Sequence, residues 1–342
     1  MEKFVLFEAG QEQCGIPMAM VNTIESAGAL LPGGATSGDR QDIPFRGHSV
    51  PLVDMPRLLG ARQSGMNPEE RKILLLNGQT APMALLVDRL SAVAEADAGN
   101  VLQMPPEVEE PALSYFPQVL RIPDGPIFLL NPEEILVRKP TAVSHDRSFP
   151  SRGLPETTAS SESPMSDSAR VERHPGGSSP IPVKPGRRPS RVLLSTLREE
   201  TPDNNRLLVL FSPLQIEEIL RNLQIHPVPF TPGYTEGIVD WRGRVLPVIS
   251  LESRLGFKAK DRSKAAYSYA VVRMAAPSGN HARVHYGILK IGRSIRELKL
   301  PIDCRPISDS PMGIDPVLIR GFYEWKDGFL LVLHLEHILR RS

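Results

Sequence analysis

The chain has 342 residues, 41% of them hydrophobic and 23% charged, which is enough for two ordinary domains with buried cores. Its 40 Lys+Arg against 39 Asp+Glu leave a net charge of +1, which excludes the basic footprint that nucleic acid or an anionic membrane surface demands. Two cysteines, Cys14 and Cys304, far apart in sequence, exclude a disulfide framework and a Cys-rich zinc site; they read as small core residues in a reducing compartment.

The amino terminus, Met1 to Gln13, has no basic region leading into an apolar stretch of roughly 7–15 residues, so no signal peptide is expected. No run of about 18 apolar residues follows; the best stretch, Met83 to Ala94, is broken by Asp88 and Arg89. A soluble, cytoplasmic protein without membrane insertion is expected.

In chain order, the first half reads as short apolar runs bounded by Gly, Pro, Asn or Asp: Phe4 to Phe7, Ile73 to Leu76, Ala84 to Val87 and Ile127 to Leu130. Pro132 to Leu136 then looks like a short helix. From Lys139 to Pro189, 51 positions hold 9 Pro, 10 Ser and one aromatic, Phe149. Such a segment cannot bury enough apolar surface to offset its ordering entropy, so residues 139–189 read as a flexible linker kept locally extended by proline. The second half has its own runs at Val192 to Leu194, Leu207 to Phe211, Tyr269 to Val272 and Leu330 to Leu333, then a helix-like Leu335 to Leu339. Leu214 to Leu223 reads as strand or helix, because periodicity alone does not separate them. Short strands with turn residues between them predict barrels or sandwiches, an all-β fold.

The two halves repeat one another. Phe45-Arg46-Gly47-His48-Ser49-Val50-Pro51-Leu52-Val53 aligns with Trp241-Arg242-Gly243-Arg244-Val245-Leu246-Pro247-Val248-Ile249, and the register runs without a gap to Leu59-Gly60 and Leu255-Gly256. Asp124-Gly125 and Asp327-Gly328 each precede an apolar run and then a short helix. Two matched blocks in the same order argue for duplication. Asp-Gly between apolar strands predicts a hairpin in which both central residues have positive φ.

Catalytic signatures are missing. There is no phosphate-binding loop, no dinucleotide fingerprint, no nucleophile elbow and no H-E-x-x-H. His281 and His285 flank an expected hairpin, and His334 and His337 lie at the last strand and helix; surface or core histidine is the commoner reading of both pairs. Glu133-Glu134 and Glu217-Glu218 are adjacent, so on a strand their side chains diverge and form no acid/base dyad. The expectation is a protein with no catalytic residues, no cofactor and no metal.

The physics of the Arg-Gly block is more telling. Gly243 permits a positive φ or a close backbone approach, so a tight turn is expected there, with Arg242 before it. Val245 to Leu251 reads as a strand covered on both faces. Pro247 donates no ladder hydrogen bond, which predicts an edge strand or barrel corner. Gly243 and Pro247 read first as folding devices, whereas Trp241, a large ring beside a turn, reads as a candidate interface residue.

Residues 237–256, GIVDWRGRVLPVISLESRLG, resemble the signature of the CheW-like family, near G-[VI]-[IV]-N-x-R-G-x-[VI]-x-P-V-[IV]-D-L. Phe211 to Ile219 resembles the family's second strand. In the first half Gln13 to Pro17 and Val21 to Ile24 resemble the same strand, and Leu85-Leu86-Val87-Asp88 resembles a later V-V-D strand. The resemblance covers residues 1–138 and 190–342. It implies two tandem domains, each of two five-stranded Src-homology-3-like barrels with short helices on a shared apolar core.

It also implies a role without chemistry. Such domains bridge the cytoplasmic tips of methyl-accepting chemoreceptors to the regulatory domain of a CheA-type histidine kinase. The groove between the two barrels takes the receptor tip, and a face of the first barrel meets the kinase. Carried over by position, Glu218 and Arg242 match a Glu and Arg able to pair, Val239 and Trp241 flank the turn where partners are expected, and Gly243, Val245 and Pro247 shape it. In the first copy Arg46, Gly47 and Pro51 match.

The copies depart from the pattern differently. The first has Asp42-Ile43-Pro44-Phe45 before its Arg-Gly and Thr23 at the pairing position, with Glu25 nearby. The second has Asp240 for Asn and Ser250 for Asp, and Gly287 to Ile291 in place of the V-V-D strand. The leading expectation is an adaptor in a receptor array, two modules whose tether raises the effective concentration of the second contact. A modulator competing with a conventional CheW protein is the alternative. From other classes, a small-molecule or metal-binding enzyme and a nucleic-acid-binding barrel are the weaker rivals.

Overall fold

The computed structural model describes residues 1–31, 40–60, 67–78, 81–137, 191–198, 206–257, 267–274, 284–307, 312–326 and 328–340. The expected linker at 139–189 lies outside them, as do His281 and Asp327.

The first copy builds β1 (Glu2–Ala9), β2 (Glu12–Pro17), β3 (Val21–Ser26), α1 (Ala27–Leu30), β4 (Arg40–Phe45), β5 (His48–Asp54) and α2 (Met55–Leu58). It continues with β6 (Lys72–Leu76), β7 (Met83–Val87), β8 (Arg89–Ala96), β9 (Val101–Gln103), α3 (Ala112–Tyr115), β10 (Gln118–Ile122), β11 (Gly125–Leu129) and α4 (Pro132–Val137). The second copy builds β12 (Arg191–Arg198), β13 (Arg206–Phe211), β14 (Ile216–Leu220), β15 (Thr235–Trp241), β16 (Arg244–Ser250) and α5 (Leu251–Arg254). Then come β17 (Tyr267–Met274), β18 (His285–Gly292), β19 (Ile295–Lys299), β20 (Arg305–Pro306), β21 (Ile319–Trp325), β22 (Gly328–Leu333) and α6 (Leu335–Leu339).

Each copy has two sheets. The first copy's run β8-β1-β2-β11-β10-β9 and β3-β6-β7-β5-β4; the second's run β19-β12-β13-β22-β21-β20 and β14-β17-β18-β16-β15. Strand by strand the orders correspond, so the duplication extends to topology. Leu207–Phe211 is thereby the counterpart of β2 and Tyr269–Val272 of β6. The ambiguous stretch after Leu214 is strand β14, entered through a short 3-10 turn at Pro213–Gln215.

One sheet of each pair has six strands where five are expected. The reason lies at a seam: β8 and β9 occupy opposite edges, yet only Asp97 to Asn100 separate them. Five Cα steps span at most about 18 Å, whereas the edges of a flat six-stranded sheet lie about 24 Å apart. The sheet must curl, and β8 and β9 are one path that pairs on both sides of the closure.

Strand alternation feeds separate cores. On β1, Phe4 and Leu6 face the barrel interior with Leu120 and Ile127, while Val5 and Phe7 join Leu74, Leu76, Leu85 and Val87 between the two sheets. On β13, Leu208 and Leu210 face one way, and Leu207, Val209 and Phe211 the other. Cys14 and Cys304 are buried in different clusters.

The proline expectation is corrected in detail. β16 is an inner strand, between β15 and β18. Its pairing with β18 starts only at Val248, so Pro247 has a strand partner, Ile238, on one side alone. Pro51 is placed alike, opposite Asp42, with the β5–β7 ladder starting at Leu52.

The Asp-Gly expectation also changes. The β10–β11 loop is Pro123-Asp124, closed by Ile122 opposite Gly125. Proline fixes a negative φ, so this is not the primed turn; Gly125 begins the next strand at φ 129°.

The copies are joined directly. Val228, Phe230 and Ile238 of the second copy are buried within the first copy's main core. The Phe230 ring meets Tyr115 edge-on at 5.1 Å and lies 6.5 Å from Phe116. Around this plug, Arg121 faces Asp240 at 3.5 Å, His285 faces Glu107 at 3.5 Å, and the Tyr234 hydroxyl donates to Glu109. A Cβ on Gly125 would come within 2.7 Å of His226, so glycine permits the approach.

Candidate partner-binding surfaces

The Arg-Gly turns are two-residue hairpin loops. Trp241 pairs with Arg244 and Phe45 with His48, leaving Arg242-Gly243 and Arg46-Gly47 at the tips. Their φ values are 51° and 76°, and 48° and 81°. Both central residues are left-handed, the geometry whose twist matches the flanking strands. Arginine therefore does not precede the turn but forms half of it, and a non-glycine residue there carries roughly 1–2 kcal/mol of strain.

In the second copy that arginine is held. Arg242 Nη2 donates to Glu218 Oε2 at 3.0 Å, and its guanidinium lies 4.7 Å over the Trp241 ring. Trp241 Nε1 donates to the same carboxylate oxygen at 2.9 Å. Gly243 N donates to Asp240 Oδ1 at 2.9 Å, closing the turn. Trp241 itself is 8% exposed and packs against Tyr286, so the candidate interface ring points inward. The group on display is Arg242, its side chain 63% exposed. Val239 is buried with Trp241, while half-buried Val245 packs on the first copy's core.

In the first copy Arg46 lies over the Phe45 ring at 5.1 Å. Thr23, at the place of Glu218, donates to Glu25 at 3.5 Å, and Asp42 accepts from Ser49.

Two clefts lie near these turns. One runs between β3 and β8, the facing edges of the first copy's two sheets, and encloses about 520 Å³. Val5, Met18, Val21, Ile24, Leu90 and Val93 give it an apolar lining, and Asn22, Thr23, Ser91 and Ala92 complete it without an ionisable side chain. The other, about 550 Å³, lies between the copies, with Leu102, Val119 and Arg121 facing His226, Val239 and Asp240. The expected partner turn of the second copy thus has one flank on the first copy.

Sequence reasoning did not identify the plug. Its signal was Phe230 in the stretch His226-Pro227-Val228-Pro229-Phe230, a large apolar ring in a proline-rich loop with no strand to bury it. His334 and His337 meet edge-on with ring centroids 4.3 Å apart at the start of α6. Among the described residues no group of three His, Cys, Asp or Glu side chains converges as a metal site, and no helix is long and apolar enough to cross a membrane.

Paired curled sheets, repeated twice, define a duplicated two-barrel module. Two stretches, residues 3–139 and 203–342, match the model of the CheW-like domain. The chain belongs to that family. It is 30% identical over 129 residues to the chemotaxis protein CheW of Helicobacter pylori (strain ATCC 700392 / 26695), covering 38% of this chain and 73% of the relative. Among solved structures it resembles the scaffolding protein TtCheW from Thermoanaerobacter tengcongensis, with 23% identity, a TM-score of 0.35, and coverage of 44% of this chain and 92% of that one. The family is one of chemotaxis scaffolds and adaptors.

Proposed function

We propose that this chain couples chemoreceptor cytoplasmic tips to the regulatory domain of a CheA-type histidine kinase, without catalysing a reaction. The observation that carries this reading is the open cleft between β3 and β8. Its uncharged apolar lining suits the buried stripe of a helix. Receptor tips would sit there, in the cytoplasm at membrane-anchored arrays.

Around the turns, Glu218, Val239, Trp241, Arg242, Gly243, Val245 and Pro247, with Arg46, Gly47 and Pro51, shape the partner loops. Arg242 is the contact residue of the second copy's loop, held by Glu218, Trp241 and Gly243, while Arg46, Gly47 and Pro51 belong to the first copy's loop. The functional units are residues 1–138 and 190–342, with 139–189 between them. Pull-down of kinase regulatory domain and receptor tip by the full chain tests the reading. Arg242→Glu is expected to weaken capture, and undiminished capture by that variant refutes the assignment of the loop.

A further inference from the structure

The copies differ most at the cleft. Strand pairing fixes which residues are equivalent. In the first copy Val5 pairs with Ile16 and Val93; in the second Leu193 pairs with Phe211 and Glu297. Val93 therefore corresponds to Glu297. The 3-10 turns Met18–Met20 and Pro213–Gln215 lead directly into β3 and β14, so Asn22 corresponds to Glu217 and Thr23 to Glu218. Where the first copy's cleft has no ionisable side chain, the second copy has four charged residues at the matching places, three carboxylates and, in place of Ala92, Arg296.

The surrounding charges reinforce the difference. In the first copy Lys3 sits opposite Glu95 and pairs with it at 2.8 Å. In the second copy Arg191 sits opposite Lys299, a like charge, and reaches instead to Glu297 at 2.9 Å. Met18, Ile24 and Val93 at the first cleft are 46%, 39% and 55% exposed, a concentration of large apolar side chains at one place.

We infer that the first copy alone carries the helix-binding cleft, and that Glu297 and Glu217 close the second copy to the same partner. This rests on the receptor-coupling reading above. The occupant is an amphipathic helix whose buried stripe carries no charge. A charge in that stripe would be desolvated against the uncharged lining. Against Glu297 and Glu217 the same apolar stripe would strip water from carboxylates. The second copy retains the held Arg242 turn and the first retains the cleft, so the duplicated modules have divided their surfaces.

Calorimetric titration of the full chain with a helical-hairpin fragment of a receptor cytoplasmic tip reads affinity and stoichiometry together. One site per chain is expected. Val93→Glu and, separately, Ile24→Glu each weaken binding about tenfold or more; both positions are exposed, so neither threatens the fold. The converse variant, Glu297→Val with Glu217→Asn, raises the stoichiometry towards two. Two sites in the unaltered chain, or undiminished binding by both cleft variants, would overturn the inference while leaving receptor coupling intact. A converse variant that stays at one site overturns the role given to the two glutamates. No binding by the unaltered chain removes the receptor-coupling reading itself, and the inference with it.

Discussion

Arg71 is the side chain on which the first copy's two sheets depend. It is buried, and its guanidinium meets Asp54 at 2.7 and 3.3 Å and Asp88 at 3.3 Å. Asp88 also accepts from Gly10 N at 2.7 Å, and Asp54 caps α2 through Arg57 N. The cluster ties the end of β5 and the start of β6 to the β1–β2 turn. Arg71→Ala leaves two carboxylates buried without a counter-charge, and urea unfolding should read a loss of about 3–5 kcal/mol. The second copy has Ser250 and Gly292 at the places of Asp54 and Asp88, so no such dependence exists there. Ser250 keeps only the capping role, accepting from Ser253 N. By contrast the Glu218–Arg242 pair is partly exposed and contributes roughly 0–1 kcal/mol. Arg242→Glu should therefore leave the melting temperature nearly unchanged while binding falls, a separation that a thermal melt beside a pull-down can read.

At the scale of elements, the strands and Arg-Gly hairpins were legible because their signals are local. Apolar runs of strand length need only their own alternation, and Arg-Gly between such runs needs only its own φ values. The inward course of Trp241 was not legible, since it depends on Glu218, 23 residues away in sequence. Nor was the cleft, because Met18, Ile24 and Val93 are unremarkable singly and meet only through the packing of β3 against β8. Nor was the role of Arg71, which only the fold brings to Asp54 and Asp88. The loop between β14 and β15 holds a further consequence. His226 packs on Gly125 of the first copy, and burial lowers its pKa below the ordinary 6.5. The folded chain then binds fewer protons than the unfolded chain, so stability falls as pH drops through about 6.5 towards the lower folded value. His334, also lowered by burial, acts with the same sign. The melting temperature should fall between neutral pH and pH ~5, and His226→Gln should flatten part of that slope.

At the scale of the molecule, the duplication has not produced two independent beads. Phe230 completes the first copy's core beside Tyr115 and Phe116, and the joint is coded by residues that differ between copies. Arg121 has Glu324 at its place in the second copy, and Asp240 has Pro44 in the first. Stacking of further chains by the same contact would lose its ion pair. Phe230→Ala should cost about 3–5 kcal/mol of stability, seen as an earlier denaturant midpoint for the first copy, because the cavity opens in that copy's core. A joint of this kind would present the first copy's cleft and the second copy's Arg242 turn in one fixed arrangement, which suits a coupler. Reconstitution tests that claim most directly, with receptor membranes, CheA-type kinase and the full chain replacing any other adaptor. Receptor-controlled kinase activity should rise on adding the chain; activity that stays flat, or falls below that of kinase and receptor alone, would contradict coupling.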